Sequence, residues 1–448
     1  MQEKAISSSA SGKSHGHLLR VLGVGFGLAV IIGNTIGAGI FRTPGVVAAQ
    51  LPNAWLFLTV WIAGGLYALL GAIQLSELGT MLPRSGGQYI FSRYALGEYA
   101  GFIVGWSDWI STCGTTAAVA MVIGQFAEAL FPVIRGQSVT VAASVAIVFA
   151  VLQWHGIVWG SEVQNVTSLL KASAFIILIL AAFAFGGGVV AAGEQMSTPA
   201  EGGLAIAFVL ALQAVIYTYD GWSGVIYFSE EVRDPGKDVP RSLFGGVLLI
   251  ILIYMLVNIA LLYVLPIEKI AGQDFAAGVA AQVIFGHYGD TIFRSLTIIS
   301  MLSGINAYHL MATRVLFAMS RDGLFSRRGA AVNAGGTPTV ALLLSTAVAV
   351  LFILFGRTFE KVITVLAFFF VANYTLSFIS LIVLRRREPN KERPYRAWGY
   401  PWTTALALIG SVAFLSGAIA SDTRNSIYAL LLLAISYPVF RILRHSSN

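Results

Sequence analysis

The chain alternates long apolar runs with short polar stretches. A helix needs roughly 20 mostly apolar residues to cross a bilayer. Twelve segments have this character, near 21–48, 54–80, 98–131, 137–154, 160–186, 203–229, 241–265, 290–320, 337–355, 359–385, 402–421 and 425–443. Runs of this length exceed a transmembrane strand and predict helices, whose backbone satisfies its own hydrogen bonds in lipid. The expected architecture is an all-α bundle of twelve transmembrane helices. Two runs are irregular. The first contains Gly33-Asn34-Thr35-Ile36-Gly37-Ala38-Gly39, followed by Arg42 and Pro44. The sixth contains Tyr217-Thr218-Tyr219-Asp220-Gly221-Trp222-Ser223-Gly224. Both place glycine and polar residues near the middle of an apolar run, and each opens a block of five spans.

A break inside a helix frees carbonyls at the end of one half and N–H groups at the start of the other. The new N-terminus favours an anion and the freed carbonyls favour an ammonium group. Such backbone is tolerated at membrane depth only where it lines a cavity or is buried in protein. Breaks at corresponding places in two halves point to a transporter site. A zwitterion with a carboxylate and an amine close together suits it. The alternative is close helix packing, since Gly33 and Gly37 also form a small-xxx-small pair.

Composition agrees with the pattern. The chain is 57% hydrophobic and only 11% charged, against about 25% charged residues in ordinary soluble domains. Lys and Arg number 28. With the N-terminus placed inside, they divide unevenly: the outer face receives Arg135, Lys269, Arg294, Arg357, Lys361 and Arg424, Arg42 and Lys171 stay within spans, and the rest fall on the inner side. By the positive-inside rule both termini are cytoplasmic. The net charge of +7 is thus a topology signal and gives no reason to invoke nucleic acid. Residues 1–20 read as a disordered cytoplasmic tail, without a cleavable signal pattern. The single cysteine, Cys113, reads as a small packing residue. No GxxxxGK[ST] loop occurs. The six histidines show no ligand spacing within a span, so neither an enzyme nor a metal site is expected. No cofactor or obligatory protein partner is called for; the expected partners are a small-molecule amino acid, protons and membrane lipids.

The motifs carry a resemblance. "GNTIGAGIF" in the first span, "PRSGGQYIFSRYALGEYAGFIVGW" from Pro83, "YTYDGWSGVIYFSEEVRDPGKDVPRS" from Tyr217, and "SRDGLF" followed by "GTPTVALL" occur in order over residues 20–390. In these the chain resembles bacterial amino acid transporters of the amino acid–polyamine–organocation superfamily, related to the L-type amino acid transporter branch. The resemblance implies a LeuT-like fold in the bacterial inner (plasma) membrane. Helices 1–5 (21–186) and 6–10 (203–387) would be inverted repeats, with helices 11–12 and a C-terminal tail in 388–448. It implies a substrate carboxylate on the amides of Gly37, Ala38 and Gly39. The amine would meet the carbonyls of Ile32, Gly33, Tyr217, Thr218 and Asp220. Tyr217 aligns with a gating aromatic, and Trp222 and Ser223 would shape the side-chain pocket. Sodium-coupled members carry an Asn where this chain has Ile40, which offers no side-chain oxygen to a hard cation. The implied activity is sodium-independent secondary transport by proton symport or exchange. A cationic amino acid or polyamine antiporter of the same fold is the alternative.

Four charged residues near the middle of spans or beside a break, Lys171, Asp220, Asp108 and Arg42, are treated as functional candidates. Lys171 costs about 2.5–3.5 kcal/mol on insertion scales at mid-span. The resemblance sets its ammonium against helices 1 and 8, where sodium-coupled relatives hold a cation; the alternative is snorkelling to the interface. Asp220 either caps the half-helix beginning at Gly221 or recognises a cationic side chain. Asp108 is expected to pair with Arg42, or otherwise with Lys171, or to carry a proton. Arg42 would otherwise face the outer vestibule. Among duller groups, Glu77 reads as interfacial or interhelical, and Glu230 and Glu231 as loop residues or as an inner gate with Arg84 or Arg93. Pro240 reads as the start of the seventh helix. Asn306 and Asn373 read as interhelical or pocket-lining. The loop "LRRREPNKERPYR" reads as a contact for anionic headgroups or a plain topology signal.

Overall fold

A computed structural model describes residues 18–186, 203–356, 359–421 and 423–447. The expected N-terminal tail lies almost wholly outside the described residues, as does Arg357. In chain order the helices are α1 (Val24–Thr35), α2 (Ala38–Gln50), α3 (Ala54–Met81), α4 (Gln88–Leu96), α5 (Glu98–Leu130), α6 (Ser138–Trp154), α7 (Ile157–Phe185), α8 (Leu204–Tyr219), α9 (Pro235–Val264), α10 (Ile267–Ile270), α11 (Ala276–Phe285), α12 (Gly289–Arg321), α13 (Thr339–Gly356), α14 (Phe359–Arg387), α15 (Trp402–Ser421) and α16 (Thr423–Ser447). Each expected span coincides with a helix or an interrupted helix. Among the described residues, eight helical segments are long and apolar enough to cross a membrane. The bent pair formed by the two halves of the first span, at 48°, is a ninth. This is a multi-pass membrane protein.

The irregular runs do break. α1 ends at Thr35, Ile36 and Gly37 are non-helical, and α2 starts at Ala38. α8 ends at Tyr219 and is followed by turns and a 3-10 segment, Gly224–Phe228, so the second half of the sixth span is not α-helical. One expectation needs correction. The seventh helix starts at Pro235, with Pro240 already inside it. Pro235 fixes its φ where no N–H partner is needed, which suits the first helical position. The segment after α3 also holds a helix, α4, too short and polar to register as a span.

α5 packs along α12, and α3 along α9. α12 escapes a hydropathy test because Ser300, Ser303, Asn306, His309, Thr313 and Arg314 are all buried within the protein. Asn306 donates to the Gly160 carbonyl and to Gln164, and accepts from Gln153. Asn373 accepts from Ser107. Both asparagines therefore tie helices together.

Ion pairs stitch the face that carries α4. Asp322, just beyond α12, accepts from Arg84 and Tyr89 at 2.8 and 3.0 Å and is ion-paired with Arg93 at 2.8 Å. Glu230 pairs with Arg321 at 2.7 Å, and buried Glu231 pairs with buried Arg314 at 3.0 Å. The expected partners are thus exchanged: Arg84 and Arg93 hold Asp322, while Glu230 and Glu231 hold arginines of α12. Glu77 is fully buried, accepts from Arg385 and the Ala397 N–H at 2.6 and 2.7 Å, and is ion-paired with Arg393 at 2.9 Å. Part of the basic loop after α14 is therefore folded onto α3. A buried carboxylate is tolerated when paired and hydrogen-bonded in this way.

Candidate functional site

The two breaks meet. At Gly221, φ is +102°, a conformation suited to glycine. A Cβ there would lie 2.7 Å from the Asn34 Cβ and 2.9 Å from the Asn34 carbonyl carbon. Gly224 approaches Asn34 as closely, and Gly39 lies against Thr218. These approaches bring the middle of the first span against the middle of the sixth. A cavity opens between them, with walls from Gly33, Gly37, Gly39, Tyr217, Thr218, Asp220 and Lys171.

The freed carbonyls of the first span are met by side chains from other helices. Lys171 of α7 is fully buried, and its Nζ donates to Gly33 O at 2.9 Å and Ile36 O at 2.5 Å. The snorkelling alternative is thereby overturned: the ammonium spans the break. Tyr308 of α12 donates to Asn34 O at 2.7 Å. Tyr254 of α9 lies at the junction, with its hydroxyl 2.6 Å from Thr35 O and 3.0 Å from Thr218 O. Ile36 O also takes a longer bond from Ser300 Oγ at 3.5 Å. On the other side of the break Gly37 is extended and is the N-cap of α2, which among the described residues has no side-chain cap hydrogen bond.

The second break is held differently. The Asp220 carboxylate accepts from the Tyr374 hydroxyl at 2.7 Å, and that hydroxyl lies 3.3 Å from Ser223 Oγ. Trp222 stacks on Tyr374 with ring centroids 5.0 Å apart and fills the space beside Gly71, where a Cβ would lie 2.5 Å from the indole. Asp108 of α5 is buried, with both carboxylate oxygens 2.9 Å from the Tyr227 hydroxyl.

The site therefore departs from expectation at several residues. Ile32 lies outside the cavity wall: it is helical, and its carbonyl accepts the Ile36 N–H. Trp222 and Ser223 are turned onto Tyr374 and α3 and off this wall, and Trp222 instead lines an adjoining cavity that shares Tyr217, Asp220 and Phe370 with it. Asp108 meets Tyr227 rather than Arg42, because the side chain sits against the 3-10 segment, away from α2. Arg42, near the start of α2, is half-buried. Sequence reasoning missed Tyr254, Tyr308 and Tyr374. A signal existed: a phenol buried in an apolar helix needs a hydrogen-bond partner.

The sequence profile of the family described as amino acid permease matches residues 27–437. The chain belongs to the amino acid permease family. This permease is 28% identical over 431 residues to the serine/threonine exchanger SteT of Bacillus subtilis (strain 168), covering 94% of the chain and 96% of that protein. It is 28% identical to the Asc-type amino acid transporter 1 of Mus musculus, over 85% of the chain and 73% of the relative. It is 26% identical to the large neutral amino acids transporter small subunit 2 of Homo sapiens, over 88% and 75%. These relatives are transporters and exchangers, not enzymes, and the family relation to the L-type branch matches the motifs. In this permease the residues of both helix breaks line one cavity.

Proposed function

We propose that this permease exchanges small neutral amino acids across the bacterial inner membrane without sodium. One observation carries the reading: both breaks line a single cavity, with the uncapped start of α2 available to a carboxylate and break carbonyls available to an ammonium. The arrangement fits twelve spans in a LeuT-like fold, with inverted repeats over 21–186 and 203–387 and alternating access around the cavity. Both termini lie in the cytoplasm in this reading, which puts the ion-paired face around Asp322 and Glu230 on the inner side.

Several features support sodium independence. The Lys171 ammonium already occupies the Gly33 and Ile36 carbonyls, and Ile40 offers no oxygen ligand. The exchanger and transporter relatives favour exchange over proton symport. A neutral substrate is favoured over a cationic one because Asp220 is engaged by Tyr374.

The test is counterflow in proteoliposomes. Labelled small neutral amino acids are expected to accumulate against an internal unlabelled pool, equally with sodium or choline outside at fixed pH and voltage. Uptake that rises with external sodium, or counterflow only with diamines and basic amino acids, would overturn the proposal.

A further inference from the structure

The charge of the segment joining α14 to α15 admits two readings, a lipid contact or a plain topology signal, and the fold sorts its residues one by one. Six basic residues stand in it or at its margin: Arg385, Arg386, Arg387, Lys391, Arg393 and Arg396. Four of them are engaged within the protein. Arg385 and Arg393 hold Glu77. Arg393 also donates to the Lys391 and Glu388 carbonyls at 2.8 and 2.9 Å. Arg387 donates to the Tyr94 carbonyl at 2.7 Å, and Lys391 pairs with Glu388 at 3.2 Å. Tyr395 packs on Phe244 of α9, with ring centroids 5.8 Å apart. The segment is thus a strap fixed across α3, α4 and α9, not a loose tether.

Two arginines are left over. Arg386 and Arg396 are exposed, and neither has an ion-pair partner among the described residues. They belong to one patch, because their chain neighbours touch: the Arg385 guanidinium donates to the Ala397 carbonyl at 3.4 Å. The strap sets its six cations against three carboxylates, Glu77, Glu388 and Glu392, so the surplus is positive.

Two tryptophans fix the depth of the patch. Trp402 is the first residue of α15, a helix apolar and long enough to cross the membrane, and it is 77% exposed. Trp398, one turn earlier in the chain, is 58% exposed. At the other end of the strap, Arg386 lies in the last turn of α14, whose Phe368–Arg387 stretch is also apolar enough to span. Both ends therefore sit where hydrocarbon gives way to water. Indole rings exposed at that level lie among lipid headgroups. Guanidinium groups beside them meet the phosphate layer, and their planar fork matches phosphate oxygens.

We propose that the strap is an anionic-phospholipid site: Arg386 and Arg396 bind the headgroup phosphate of an acidic phospholipid, and Trp398 and Trp402 seat its glycerol and upper acyl region. A topology signal acts during insertion and confers no headgroup preference on the folded protein. The site is independent of what the permease transports.

The experiment titrates the purified full chain in detergent with phosphatidylglycerol or phosphatidylcholine of identical acyl chains and follows the thermal midpoint. Phosphatidylglycerol is expected to raise the midpoint at a lower mole fraction than phosphatidylcholine, and added salt should erode the difference. Arg386→Gln combined with Arg396→Gln should weaken the preference roughly 30-fold, equivalent to about 2 kcal/mol for two basic residues at an anionic surface. Each substitution alone should weaken it about fivefold, which keeps the test open should the double variant fail to fold. Trp398→Ala should weaken both lipids alike. Arg327→Gln combined with Arg328→Gln, which removes two exposed arginines outside the strap, should leave the preference in place. No preference in the wild-type protein, or folded strap variants that keep it, overturns the proposal. An equal loss in the Arg327 and Arg328 variant overturns it as well, since overall charge and not the strap would then be responsible. A midpoint shift of the same size from soluble glycerol phosphate would assign the arginines to a free anion and overturn the lipid site.

Discussion

The two interrupted spans solve the same problem with opposite chemistry. The first has no ionisable residue in its break, and its freed carbonyls are met by donors from elsewhere: Lys171 from α7, Tyr254 from α9 and Tyr308 from α12. The second brings its own carboxylate, Asp220, which takes a donor from Tyr374 of α14. Its 3-10 continuation then offers Tyr227 as donor to Asp108. The first break keeps a regular helix on both sides and bends by 48°; the second gives up the α-helix altogether. The difference lies in what each leaves for a ligand. In the first break donors from other helices answer the carbonyls, and the start of α2 has no side-chain cap among the described residues. In the second, the carboxylate and the phenols satisfy one another, and the backbone at Tyr217 and Thr218 lines the cavity. Polar groups that would be costly in lipid are arranged so that their unmet capacity points at one cavity.

The contact that makes one site of two breaks is the place to disrupt it most severely. Gly221→Ala forces a β-carbon into φ +102° and to 2.7 Å from the Asn34 Cβ. Left-handed strain of about 1–2 kcal/mol adds to overpacking of about 1–3 kcal/mol. The expected outcome is loss of counterflow and a clearly lower thermal midpoint. Normal transport by this variant would mean that the breaks need not touch. Gly23, where a Cβ meets nothing within 4 Å, is the matched control and is expected to tolerate alanine.

Lys171→Met tests whether the first break is held by donors. It strands the Gly33 and Ile36 carbonyls at about 1–3 kcal/mol each, but it also removes a mid-span lysine that costs about 2.5–3.5 kcal/mol on insertion scales. These terms largely cancel in stability, so the thermal midpoint should move little. Transport should fall at least roughly tenfold, equivalent to 1.4 kcal/mol, because the break loses the group that spans it. A midpoint that collapses together with transport would make Lys171 a purely structural residue, and full transport would remove the contrast between the breaks.

How much of this was legible beforehand follows from where each signal sits in the chain. The helices were legible because lipid demands long apolar runs, and the breaks because glycine and polar residues interrupt them. α12 was legible as a segment, yet its polar face only makes sense once α5, α6 and α7 surround it. The partners of the breaks were not legible. Tyr254 lies in "ILIYMLVN", where nothing local distinguishes its hydroxyl from any other buried phenol, and its acceptors Thr35 and Thr218 are far away in sequence. Depth alone suggested Arg42 for Asp108, but pairing depends on which helix face each residue occupies, and Asp108 faces Tyr227. Glu77 was underestimated for the same reason: one arginine partner, Arg385, lies in the last turn of α14 and the other, Arg393, in the following loop, whose charge suggested lipid.

The smallest expected effect gives the sharpest reading of the first break. Gly37 has extended backbone, φ −138° and ψ −151°, which alanine adopts without strain. A Cβ there meets nothing within 4 Å, so Gly37→Ala should leave stability within about 0.5 kcal/mol of the parent, as for a site without packing or backbone constraint. Gly37 nevertheless caps α2 and lines the cavity. A methyl group at that point crowds the approach of a carboxylate to the N–H groups of the first turn, where close backbone access is what glycine provides. The half-saturating concentration in counterflow should rise roughly threefold to tenfold for every amino acid alike, because the carboxylate is common to all, which corresponds to about 0.7–1.4 kcal/mol. A uniform shift with an unchanged midpoint locates the carboxylate at α2. A change confined to some side chains would place the methyl beside the substrate side chain instead, and no change at all would mean that the start of α2 does not touch the substrate.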